Sequence, residues 1–139
     1  MNKYVKRLFE EWKQHGKIIV SVDYDDTLFP WKLDNKTDIS RTIQLVQLAR
    51  ETGAYVVVFT ASEPERHEEI QKYCESIRLP IDSINSNPIE LPYGKNGKIY
   101  YNINLCDRSG LNEALNTLEE AMYQMRSYQQ LQKLATDVA

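Results

Sequence analysis

Four aspartates and a threonine carry the chemistry that this sequence can offer. Asp23, Asp25 and Asp26 fall within four positions, Thr27 follows at once, and Asp107 stands alone far downstream. Carboxylates gathered this closely repel one another unless one is protonated or a cation lies between them. Hard oxygen donors with room for water and a phosphate suit Mg²⁺, whereas zinc would call for histidine or cysteine that the Asp23–Thr27 run lacks. One carboxylate in such a site can attack phosphorus, while a second, two residues on, protonates the leaving oxygen and later activates water. The chemistry indicated is phosphoryl transfer, with one carboxylate attacking and another moving protons.

The elements that must position these residues are legible from periodicity. Residues 18–22 form a short, nearly continuous β-branched run, as expected of a strand buried on both faces of a parallel sheet, and polar residues begin abruptly at Asp23. A second such run, 55–59, ends at Thr60. Residues 81–84 make a weaker strand, and 98–106 read as another, ending at Asp107. Helices are expected over 2–15, with Val5, Leu8, Phe9 and Trp12 at helical spacing and Gly16 as stop, and over 38–51. A third helix would start at a capping box made by Ser62 and Glu65, with Pro64 in its first turn, and run to about residue 78. A last one, about 110–131, carries Leu111, Leu115, Leu118, Met122 and Met125 along one stripe. Strands alternating with helices predict an α/β fold, a Rossmann-like three-layer sandwich around a mainly parallel sheet. Such sheets bind ligands at their carboxyl edge, so Asp23, Thr60 and Asp107 are expected to converge there.

With these motifs in place, the chain resembles the haloacid dehalogenase-like superfamily. Its first signature, a hydrophobic strand followed by Asp-x-Asp-x-Thr, is matched by Asp23-Tyr24-Asp25-Asp26-Thr27; its second, a strand ending in Thr or Ser, by Val56-Val57-Val58-Phe59-Thr60. The superfamily's lysine falls on Lys98, with Lys95 as the alternative. Its terminal acidic pair corresponds to Cys106-Asp107, so cysteine replaces one commonly acidic residue, and Asp26 replaces a common glycine. The resemblance implies Asp23 as nucleophile and Asp25 as general acid and base. Thr27 would steady the loop, and Thr60 and Lys98 would hold the phosphoryl oxygens. Mg²⁺ would be bound by Asp23, Asp107 and the backbone carbonyl of Asp25. The intervals between signatures are already filled by ordinary elements, so no cap domain is expected, and Phe29-Pro30-Trp31 would make at most a small flap.

Composition bounds the rest. With 139 residues, 42% hydrophobic and 27% charged, one domain with a substantial core is expected. A net charge of −3 excludes a global basic field for capturing nucleic acid, though not a local patch for a phosphate end. No apolar run reaches membrane-spanning length and no signal-peptide pattern opens the chain, which makes the cytoplasm the expected location, with no membrane partner. Cys74 and Cys106 are too few for a disulfide framework and are expected to serve packing. The expected activity is that of a Mg²⁺-dependent phosphatase. An open site suits a phosphate on a large molecule, a nucleic-acid end or a phosphoprotein, unless self-association into a homo-oligomer supplies a lid. Two alternatives stay open: a non-catalytic phosphate-binding or interaction protein on the same fold, and a phosphatase dedicated to nucleic-acid ends.

Overall fold

A computed structural model describes residues 1–92 and 97–138. Helix α1 (Lys3–His15) is capped by the Asn2 carboxamide oxygen, which accepts the main-chain N–H groups of Tyr4 and Val5, and is stopped by Gly16 at φ 78°. Then follow β1 (Ile18–Asp23), α2 (Lys36–Gly53), β2 (Ala54–Phe59), a single 3-10 turn (Pro64–Arg66), α3 (His67–Ser76), β3 (Ser83–Ile84), β4 (Ile103–Leu105) and α4 (Leu111–Val138). The strands form one all-parallel sheet in the order β3-β2-β1-β4. The chain steps outward from β1 to β3 and then returns to the far side of β1. That reversal makes the carboxyl ends of β1 and β4 a topological switch point, where α/β sheets place their ligands.

The expected α/β architecture, a Rossmann-like three-layer sandwich, is the one observed. The parallel register puts Ile18, Val20 and Val22 on the same face as Ala54, Val56, Val58, Ile103 and Leu105, and these pack with Trp12, Val46, Ala49, Leu115 and Leu118 from the helices. On the other face Ile19, Ser21 and Val57 are also buried. There the described residues between β3 and β4 cover the sheet: Ile89, Leu91 and Tyr100 line a cavity with Ile19 and Tyr55, and Tyr101 meets Phe59 edge-on. Burial from both sides explains why β1 reads as a nearly continuous apolar run, broken only by Ser21, whose hydroxyl donates to Asn104 at 2.7 Å. No described helix is long and apolar enough to cross a membrane.

Several boundaries depart from expectation because side chains replace backbone partners. The strand expected over 98–106 shrinks to Ile103–Leu105. Upstream of it, Asn87 accepts the Tyr100 N–H and donates to the Lys98 carbonyl, and Asn102 offers its side-chain oxygen to the Ile19 N–H at 2.7 Å. In the same way the strand expected over 81–84 shortens to two residues, since the Asp82 carboxylate takes the Val56 N–H at 2.7 Å. The Ser62–Glu65 capping box does not form. Ser62 instead accepts a hydrogen bond from Arg66 at 2.8 Å, and the α-helix proper begins only at His67. Helix α4 outruns its expected end; Leu131 at that end and Leu134 on the added length are both exposed.

Candidate active site

The turn after β1 is built around an aromatic anchor. Tyr24 is fully buried, its ring stacked on Phe29 at 5.3 Å and edge-on to Tyr73, and its carbonyl accepts the N–H groups of Leu28 and Phe29. The intervening residue of Asp-x-Asp is thus the inward anchor, and the two acids beside it are left only half-buried at the sheet's carboxyl edge. Asp26 adopts φ 64°, the left-handed region that favours glycine and, next, Asn or Asp. Its carboxylate uses one oxygen to accept the N–H groups of Trp31, Lys32 and Leu33 at 2.8–3.0 Å, while its carbonyl accepts from Asn35. These donors, Leu33 foremost, hold its pKa below the ordinary carboxylate value. The flap after Phe29 is therefore tied down from a single side chain. Its tether is complete above the ordinary carboxylate range and is lost only when acid protonates Asp26 at its lowered folded pKa. Asp26→Gly keeps the backbone conformation and removes the tether, so limited proteolysis should cleave residues 29–35 roughly tenfold faster. Cleavage at the wild-type rate would mean that these bonds do not hold the flap.

Thr27, fully buried, links the two distant acids. Its hydroxyl lies 3.1 Å from Asp107 Oδ1 and 3.5 Å from Asp23 Oδ2, and it accepts the Asp107 N–H at 3.0 Å. The carboxyl of Asp23 is pushed up to about 6, first by burial, then by the charge of Asp107 and by the hydrogen bond between the two acids, and less by Asp25. Two carboxylates so close share a proton or require a cation. Cys106, expected to serve only packing, brings its thiol into the same cluster: ligand atoms of Asp23, Cys106 and Asp107 all lie within 4.8 Å of one another. The two carboxylates match the hard donors Mg²⁺ takes, and the sulfur does not, which leaves Cys106 as a neighbour of a carboxylate site. Cys74, in contrast, is buried in the core as expected, and burial raises its thiol to about 11.

Asp25 is engaged by a different partner. Arg66 holds it through two contacts, Nη1 to Oδ2 at 3.3 Å and Nη2 to Oδ1 at 3.1 Å, and also donates to Ser62. Its side chain is accordingly not among the clustered ligand atoms around Asp107. Thr60 follows Phe59, the register partner of Asp23, so it sits beside the end of the strand that carries Asp23. Asn85, itself at φ 54°, clamps the backbone of Thr60 reciprocally, accepting its N–H at 2.9 Å and donating to its carbonyl at 2.7 Å. The Thr60 hydroxyl accepts the Ser62 N–H at 3.0 Å and keeps its own proton for donation. Lys98 is exposed, on irregular backbone, and pairs with no acid among the described residues. Lys95 lies outside the described residues.

Asp23, Thr27 and Asp107 are thus brought into contact, Thr60 is placed alongside, Asp25 is paired with Arg66, and Lys98 forms no ion pair among the described residues. Arg66 and Asn85 carry no motif of their own. The only sequence signal for Arg66 was a lone cation between Glu65 and His67 in an acidic stretch after Thr60. Comparison of the chain with protein-family models, with curated proteins and with solved structures finds no match.

Proposed function

We propose that this chain is a Mg²⁺-dependent phosphomonoester hydrolase of the haloacid dehalogenase-like type, working through an aspartyl-phosphate. The observation that carries the reading is the contact of Asp23, Thr27 and Asp107 at the topological switch point, with Asp25 two residues beyond the nucleophile. A carboxylate oxygen of Asp23 attacks phosphorus as the ester P–O bond breaks, and Asp25 delivers a proton to the departing oxygen. Asp25 then takes a proton from water, whose oxygen attacks the same phosphorus; the bond to Asp23 breaks and inorganic phosphate leaves. The Thr60 hydroxyl and neighbouring N–H groups orient the phosphoryl oxygens, with Lys98 or Lys95 as the cation. Asp23 and Asp107 would hold Mg²⁺, with the Asp25 carbonyl as a further ligand; when bound, it offsets the charge that these acids and the phosphate bring together. Arg66 orients Asp25 for both proton transfers. Without a cap, the site admits a phosphate on a large molecule, a nucleic-acid end or phosphoprotein. The free thiols of Cys74 and Cys106 suit the reducing cytoplasm.

A second reading, a non-catalytic phosphate-binding protein, is favoured by one observation, the occupation of Asp25 by Arg66. Hydrolysis of an aryl phosphate with and without Mg²⁺ separates the two. The hydrolase reading expects Mg²⁺-dependent turnover and trapping of beryllofluoride on Asp23. Phosphate binding with neither turnover nor trapping would establish the second reading instead.

A further inference from the structure

The flap presents an unusual surface beside Asp25. Trp31 is 55% exposed, yet the backbone that carries it is pinned by three hydrogen bonds to Asp26. Arg66 lies over the indole at 5.0 Å and over Phe29 and Tyr24 at 5.9 and 5.3 Å, while its edge grips Asp25. Tyr73 stands edge-on to both Phe29 and Tyr24 and donates its hydroxyl to the Leu28 carbonyl, bracing the flap from beneath. An exposed indole held this firmly is preorganised to stack, because the ordering cost of a bound ring is already met in the free protein.

Spacing limits what can stack there. The guanidinium bridges indole and carboxylate, which puts the Trp31 ring within about 10 Å of the Asp25 carboxylate. An aryl ester would carry its ring against Asp25 itself. A nucleoside monophosphate, with a sugar between ester oxygen and base, spans from Asp25 to the indole.

We infer that Trp31, backed by Arg66, forms a stacking shelf for the base of a nucleoside monophosphate, either free or at the end of a nucleic-acid strand. The inference rests on the hydrolase reading for the orientation of the phosphate. Trp31 selects the substrate by touching it, and Arg66 is a positioning residue that fixes both the indole and Asp25. The net charge of −3 argues against long-range capture of a polynucleotide backbone, so recognition would concern the terminal nucleoside.

Two measurements test this. The first is fluorescence of the Asp23→Asn variant titrated in Mg²⁺ with adenosine 5′-monophosphate, with ribose 5-phosphate and with a 5′-phosphorylated oligonucleotide. Since Trp12 is fully buried, quenching reports Trp31. It is expected with the two nucleoside-bearing ligands and not with ribose 5-phosphate; tighter binding of the oligonucleotide assigns the strand end, and equal binding the free nucleotide. The second measurement is the ratio of kcat/KM for adenosine 5′-monophosphate over ribose 5-phosphate. It is expected at about 5- to 100-fold, the value of one stacked base, falling to near unity in Trp31→Ala and partly restored in Trp31→Phe. Equal quenching by nucleotide and sugar phosphate, or a ratio that Trp31→Ala leaves intact, overturns the shelf. Turnover without nucleotide preference removes the shelf and leaves the hydrolase; nucleotide-specific quenching without any turnover does the reverse.

Discussion

Asp23→Asn should lower phosphatase turnover by at least about a thousandfold and, in the metal-free protein at pH 7, raise thermal stability. The two effects have one cause. Asp23 is driven by burial and by Asp107 to a pKa of about 6 in the folded chain, above the ordinary value of 3.8. A carboxyl whose folded pKa is raised holds its proton more tightly when folded than when unfolded. Stability is therefore greatest below pH 4 as far as this group is concerned, declines as pH rises toward 6, and stays reduced above it. Because Asp23 is only half-buried, solvent screening trims the penalty of the charged form to about 1–2 kcal/mol. The amide carries no charge, so the variant should melt about 3–6 °C higher in chelator at pH 7 and lack the decline between pH 4 and 6. Calorimetry of both proteins across that range checks the stability half, and single-turnover hydrolysis checks the other. A variant that melts lower at pH 7 would show that Asp23 is not strained by its neighbours, and one that retains turnover would show that it is not the nucleophile.

Thr27→Val should be the most costly conservative change in the site. The two side chains have nearly the same shape, but the hydroxyl is fully buried, accepts the Asp107 N–H and approaches both carboxylates. Valine leaves that N–H without a partner and removes the donor between two acids, a loss of about 1–3 kcal/mol by denaturant unfolding. Since Thr27 orients Asp107, Mg²⁺ affinity measured by thermal shift should weaken about 10- to 100-fold. Thr27→Ser retains the hydroxyl and should recover most of both. If serine and valine behave alike, the methyl group's packing, and not the hydroxyl bridge, is what position 27 contributes.

The contrast between Thr27 and Lys98 shows what could be read in advance. Thr27 was legible because it lies four residues from Asp23 in a turn that follows a buried strand, so local geometry sets its reach. Asp107 was legible for a related reason: an acid directly after an apolar run must emerge at the carboxyl edge of a parallel sheet. Lys98 depended on where β4 begins, and that was settled by Asn87 and Asn102, whose amides took backbone partners that a longer ladder would have used. Ser62 and Glu65 have the spacing of a capping box, yet Ser62 was claimed by Arg66, which was itself drawn to Asp25 from an element far away in the chain.

Sequence by itself determined the α/β order, the buried strands and the side of the sheet on which the acids emerge, since these follow from hydrophobic period and from the sterics of parallel crossovers. Only the tertiary structure decided that Asp25 is gripped by Arg66, that Cys106 stands beside Asp23 and Asp107, and that Trp31 is exposed on a tethered flap. Each of these depends on which of several competing polar partners comes within hydrogen-bonding or ligand distance. That competition is resolved between elements distant in sequence, where no periodicity records it.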